Sequence, residues 1–196
     1  MKTSRSSEGR GPLYRIYINR LRRSLDPVAV PQHVAMMIDG NRRWARQLGL
    51  DSAADGHRAG AAKMREFLEW CDDVGVRVVS LYLLSNDNVT KRDSKEIADL
   101  IEIIAELADE LSRFRDWKVQ HVGSTAALPA ELVSVLEAAQ QRTSANTGMH
   151  VNLAVGYGGR REIVDALRSI IAEHDQRGGS LEDLTESLTP ETIGEH

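Results

Sequence analysis

The run Met37-Ile38-Asp39-Gly40-Asn41-Arg42-Arg43-Trp44-Ala45 concentrates residue types that hold a phosphate. An apolar stretch ends at Asp39-Gly40-Asn41, and a helix is expected to start there. A helix start presents free backbone N–H groups to an anion, and two adjacent arginines add forked donors with fixed positive charge. Gly40 lets the backbone approach a ligand closely. Asp39 alone would repel a phosphate. It becomes intelligible if Mg²⁺ bridges the two, because Mg²⁺ takes one or two carboxylates together with phosphate oxygens. On spacing alone a plainer reading stands beside this one, with Asp39 an ordinary helix cap and Gly40-Asn41 an ordinary turn.

Other chemistries find less support. Gly156-Tyr157-Gly158-Gly159 lies between a strand pattern and a helix pattern, but it lacks the G-x-G-x-x-G spacing of a dinucleotide loop. No G-x-x-x-x-G-K-[ST] run is present. His33, His57, His121, His150, His174 and His196 do not cluster at metal-ligand spacing. His121 and His150 lie in strand patterns and read as sheet residues. Cys71 belongs to the apolar face of a helix and reads as core rather than nucleophile.

Four short apolar runs must position these residues: His33–Ile38, Val76–Leu84, Trp117–Val122 and His150–Val155. The near-continuous apolarity of Val79 to Leu84 suits a strand covered on both faces. Helical spacings separate the strands: Ala61, Met64, Phe67, Leu68 and Cys71; Ile97, Leu100, Ile101, Ile104, Ala108 and Leu111; Leu132, Val135, Leu136 and Ala139; Ile163, Val164, Leu167 and Ile171. Asp93 and Glu96 have the spacing of a capping box. Alternation of this kind predicts an α/β domain with a central, largely parallel sheet flanked by helices. Residues 1–11 read as a flexible basic tail and 12–196 as a single domain. Leu13, Ile16, Tyr17, Leu21 and Leu25 follow helical spacing among arginines. A helix docked on the domain with a solvated basic face is preferred there over membrane-surface contact.

Composition agrees with a folded chain: 196 residues, 41% hydrophobic and 28% charged, which excludes disordered, collagenous and disulfide-rich classes. The most apolar run, Val78 to Leu84, is far below the roughly 20 residues of a spanning helix. One cysteine permits no internal disulfide, and the polar N-terminus has no signal-peptide core, so a cytoplasmic location is expected, with membrane association as an option. Charge is uneven. Residues 1–50 carry ten Lys/Arg against three acids, a net +7, and the remainder nets −11. A basic end suits an anionic partner. No stacking platform or nucleic-acid motif accompanies it, so a small phosphorylated ligand is preferred.

His33 to Ala45 resembles the first signature of the cis-prenyltransferases, the undecaprenyl diphosphate synthase family. Gly56-His57-Arg58-Ala59-Gly60 is similar to that family's G-H-x-x-G segment, and Leu81 to Asn88 to its L-Y-x-x-S-x-E-N segment. Val122-Gly123 resembles its I-G-D strand end, and Asn152 to Ile163 its N-x-A-x-x-Y-G-G-R-x-[DE]-I segment. The matches keep their order from about Pro31 to Glu195. The resemblance implies an Mg²⁺-dependent homodimer that condenses isopentenyl diphosphate with an allylic diphosphate, geranyl or farnesyl, to form a new Z double bond. It implies Asp39 as the metal and diphosphate aspartate, and Asn88 as a polar residue near the condensing atoms. Gly40, Asn41, Arg42, Arg43, Trp44, His57, Ser85, Asp87 and Arg92 are implied in substrate binding. A bulky Leu83, together with Arg42, is similar to the actinobacterial short-chain Z-farnesyl diphosphate synthases and implies short products.

The chain also departs from the pattern. Leu50 to Asp55 lacks a common arginine, Asp87 replaces a glutamate, Leu84 and Val89 replace aromatics, and Lys91-Arg92 adds a residue. The family's R-T-S-G-E-x-R-x-S-x-F run, which serves the isopentenyl diphosphate site, has no match before His196. The domain is therefore expected to be C-terminally truncated. The alternative function is a catalytically silent diphosphate-binding or partner-binding protein of the same fold.

Overall fold

The computed structural model describes residues 11–50, 52–91 and 93–195. Helix α1 (Pro12–Ser24) and a 3₁₀ turn (Pro27–Ala29) lead into strand β1 (His33–Met37). Then come α2 (Asn41–Gln47), α3 (Ala53–Val74), β2 (Val78–Ser85), α4 (Asn86–Lys91), α5 (Ser94–Ser112), β3 (Lys118–Val122), α6 (Ala130–Arg142) and β4 (His150–Tyr157). The four strands form one parallel sheet in the order β1-β2-β4-β3. This is the predicted fold class. Trp117 and Val76, read as strand residues, precede their strands and are buried, and β4 runs two residues further than expected.

One sheet face carries Val79, Leu81, Val119, Val151 and Leu153, all 2% exposed or less. They join a core with Leu68 of α3, Ile104 and Leu111 of α5, and Leu132 and Leu136 of α6. The cover expected on both faces of Val79 to Leu84 is only partial, because Ser80, Tyr82 and Leu83 on the strand are half-buried. Pairing between β2 and β4 passes from Tyr82–Ala154 to Leu84–Val155, so Leu83 is an extra residue in β2. Such bulges re-aim side chains next to functional sites.

Ser52 and Asp55 close a reciprocal capping box at the start of α3. Gly75 ends that helix in the left-handed conformation at φ +92°. The cap of α5 is formed by Asp93, whose carboxylate accepts from the Lys95 N–H. Glu96, expected as the reciprocal partner, turns its carboxylate toward His57.

Helix α1 corrects an expectation. Its apolar side is not docked: Leu13 is 81% exposed, Ile16 64% and Tyr17 60%. Residues 1–10 of the expected tail lie outside the described residues. The chain divides into two compact units after Tyr157. The second contains α7 (Gly159–Gln176), α8 (Leu181–Ser187) and α9 (Pro190–Glu195). Ser180 caps α8, and its hydrogen bonds hold the Asp183 carboxyl below the usual range.

Candidate active site

The C-terminal end of β1 opens onto α2 through Asp39 and Gly40. Gly40 has φ +94°, a left-handed conformation that side chains disfavour. Its N–H donates to the Asp39 carboxylate at 2.6 Å, while its carbonyl accepts from the Trp44 N–H at 2.8 Å. The strand therefore turns sharply into the helix, with the aspartate folded over the turn.

Asp39, Gly40, Asn41, Arg42, Arg43, Arg46 and His57, with Ile38, line an open recess of about 90 Å³. Arg46 was not singled out from sequence. Its position four residues after Arg42 puts it on the same helix side, a signal that could have found it. His57 is buried, and its Nε2 lies 3.5 Å from Oε1 of Glu96. The same carboxylate oxygen is 3.7 Å from Nε of Arg42. Glu96 thus ties the buried imidazole to an arginine of the recess. The cap-like spacing after Asp93 disguised that role.

Gly56-His57-Arg58-Ala59-Gly60 does two jobs on α3. A Cβ at Gly56 would sit 2.4 Å from the Asn41 carbonyl oxygen, and one at Gly60 would sit 2.8 Å from the Asn41 side-chain amide. The glycines let α2 lie directly against α3, and His57 between them reaches the recess. Each glycine costs a helix interior about 1 kcal/mol relative to alanine, and close approach is the compensating gain.

A second, mainly apolar cleft, narrow at about 40 Å³, adjoins the recess. Ile38, Asn41 and His57 line both. Ala61, the bulged Leu83, and Leu100, Ile103, Ile104 and Leu107 of α5 complete the cleft. Leu100 and Ile104 were legible as part of a core face, Ile103 and Leu107 were not among the residues read there, and nothing in the spacing distinguishes a cleft wall from a core. The joined pair offers a charged end and an apolar end.

Asp39, Gly40, Asn41, Arg42, Arg43 and His57 are therefore brought together as expected. Trp44 is 44% exposed and lies outside both linings. Ser85 and Asn88 form a local pair at the end of β2, where the Asn88 N–H donates to Ser85 Oγ at 3.2 Å. Ser85 thereby caps α4, which accounts for the serine; the bond uses only the backbone of Asn88. The Asp87 side chain and the whole of Arg92 lie outside the described residues.

The donor set suits Mg²⁺. No group of three or more His, Cys, Asp or Glu able to hold a metal occurs among the described residues. A single carboxylate facing an arginine-lined recess still matches a cation that takes one protein ligand and fills its shell from phosphate and water.

Residues 37–196 match a prenyltransferase family model described as "Putative undecaprenyl diphosphate synthase". The chain is 44% identical to "Isoprenyl transferase 2" of Streptomyces coelicolor, covering 95% of this chain and 73% of that protein. It is 48% identical to the "(2Z,6E)-farnesyl diphosphate synthase" of Thermobifida fusca, over 85% of this chain and 65% of that protein. Among solved structures, a lavandulyl diphosphate synthase from Lavandula x intermedia in complex with dimethylallyl diphosphate superposes with a TM-score of 0.75 at 29% identity. That match covers 85% of this chain and 70% of the other. No described helix is long and apolar enough to cross a membrane.

Proposed function

The chain belongs to the cis-prenyltransferase (undecaprenyl diphosphate synthase) family, and from that premise we propose that it joins isopentenyl diphosphate to an allylic diphosphate to give a short Z-isoprenyl diphosphate. One observation supports this most: the arginine-lined recess and the apolar cleft share Ile38, Asn41 and His57. An allylic diphosphate has that same division, a charged head and a hydrocarbon tail.

In this reading the head lies in the recess. Arg42, Arg43 and Arg46 bind its oxygens and stabilise the negative charge that grows as the diphosphate departs. Fixed charges aimed at developing charge are the largest contribution to many such reactions. His57, held by Glu96, donates a hydrogen bond at the junction of head and tail. Asp39 would hold Mg²⁺, which when bound polarises the diphosphate. Leu83, Leu100 and Ile104 enclose the tail and keep water from the allylic carbon. Asn88 is assigned to the neighbourhood of the condensing atoms, and Ser85, Asp87 and Arg92 to substrate binding. Trp44 is kept as a residue at the rim. Leu83 closes the cleft and limits the product to a short chain. A homodimer in the cytoplasm completes the proposal.

Head and tail can be tested separately by calorimetry. Geranyl diphosphate with Mg²⁺ should bind at least tenfold more tightly than inorganic diphosphate with Mg²⁺, because each buried methylene contributes about 0.8 kcal/mol. Equal affinities would show that the cleft does not take the tail.

A further inference from the structure

Helix α1 is mounted with its apolar side away from the domain. At 100° per residue, Leu13, Ile16, Tyr17 and Leu21 share one side and Ile18 and Arg22 lie on the other. The inner side is the ion-paired one: the Arg22 guanidinium bonds the Asp73 carboxylate at the end of α3, and Ile18 and Arg22 are half-buried. Leu13, Ile16, Tyr17 and Leu21 on the outer side are 46–81% exposed. Arg20 lies within that outer side and Arg23 at its border, both exposed. A helix that served only to cover a soluble core would have the opposite arrangement.

We propose that α1 is an interfacial anchor whose outer side enters the headgroup boundary of an anionic phospholipid bilayer. Amphipathic helices bind there by burying apolar side chains while flanking arginines meet lipid phosphates. Tyr14 and Tyr17 have the amphipathic rings that settle at headgroup level. Charge selects this partner: α1 itself carries Arg15, Arg20, Arg22 and Arg23 and no acidic residue, on a chain of net −4, so an anionic surface attracts this helix. A second copy of α1 is a poor occupant, because the helix has no acidic residue to pair with Arg20 and Arg23 of its copy. The helix has 13 residues, about 20 Å, and cannot span the roughly 30 Å of hydrocarbon. Apolar insertion and basic attraction together supply the two signals that stable peripheral attachment needs.

The test is co-sedimentation of the full chain with vesicles at 0.1 M NaCl. One set is phosphatidylcholine with 30 mol% phosphatidylglycerol, and the other is phosphatidylcholine alone. Binding should be at least tenfold tighter to the anionic set. Arg20→Gln with Arg23→Gln should weaken it roughly 25-fold, at about fivefold per basic residue. Ile16→Glu with Tyr17→Glu should abolish it while leaving the melting curve unchanged, since both side chains are exposed. A Leu13→Trp variant should show a blue-shifted emission with the anionic vesicles alone. Wild-type chain left in the supernatant, equal binding to both vesicle sets, or binding unaffected by Ile16→Glu with Tyr17→Glu would overturn the proposal. So would a loss of self-association in that variant with vesicle binding retained. Vesicle attachment is read without turnover, so this test stands or falls apart from the prenyl-transfer proposal.

Discussion

Replacing Gly56 with alanine tests how α3 positions the phosphate recess. The new Cβ would lie 2.4 Å from the Asn41 carbonyl oxygen and 3.0 Å from Ala45 Cβ. Neither neighbour can rotate away, because one is backbone and the other is the buried side of α2. The start of α2 must therefore retreat by the better part of an ångström. Overpacking of this kind costs up to about 3 kcal/mol, and the alanine returns about 1 kcal/mol of helix propensity. The net of about 2 kcal/mol corresponds to a Tm drop of about 4–8 °C for a chain of this size. Asp39 to Arg43 move with the helix start, and misplacement by 1 Å can cost about a hundredfold in function. Gly60→Ala is the control. Its Cβ would meet only the Asn41 side-chain amide at 2.8 Å, which can rotate. Gly60→Ala should leave Tm near or slightly above wild type and weaken geranyl diphosphate binding far less. Scanning calorimetry and titration of both variants decide the matter. A Gly56→Ala chain with wild-type Tm and affinity would refute the close-approach reasoning.

Asp39→Ala should lower the Mg²⁺-dependent affinity for geranyl diphosphate by orders of magnitude with an unchanged circular dichroism spectrum, and near-normal binding would remove Asp39 from the site. Glu96→Gln should weaken that binding about fivefold, the effect of about 1 kcal/mol for a long charge-assisted contact; titration calorimetry checks it. Leu83→Ala should shift products to longer chains, read by chromatography, at a stability cost near the lower end of the 2–5 kcal/mol range for Leu→Ala. Burial, with Asp72 beside it, pushes the Cys71 thiol up to about 11 from 9.0. Protonation therefore favours the folded state: this contribution is whole below pH 9 and lost as pH rises toward about 11. Urea melts of wild type and Cys71→Ala across that interval should converge as pH rises.

The parallel sheet was legible because apolar runs such as Val79 to Leu84 are separated by helical spacings, although burial in β2 itself alternates, with Val79, Leu81 and Leu84 buried and Ser80, Tyr82 and Leu83 half-buried. The phosphate recess was legible because Asp39 to Arg43 are contiguous and lie where strand becomes helix. The roles of Glu96 and of the two glycines were not. Glu96 reaches His57 and Arg42 across a gap between elements, and its spacing from Asp93 imitates a cap. Gly56 and Gly60 lie inside a helix, where sequence alone registers a propensity cost but not the backbone of α2 against them. The outward mounting of α1 was missed because periodicity defines an apolar side without saying what it faces. That is decided by Arg22 and Asp73, far apart in the chain. The bulge at Leu83 depends on register with β4, which no local pattern encodes.

The chain spans 65–73% of the length of the Streptomyces and Thermobifida relatives, and the most direct measurement takes that into account. Labelled isopentenyl diphosphate, geranyl diphosphate and Mg²⁺ are incubated with the chain and with a fusion carrying a relative's R-T-S-G-E-x-R-x-S-x-F segment. Asp39→Ala is introduced into each as the control. The account predicts a labelled short isoprenyl diphosphate with a new Z double bond, formed by at least one of the two and abolished by Asp39→Ala. Product of E geometry, product indifferent to Asp39, or no product from either protein would contradict it.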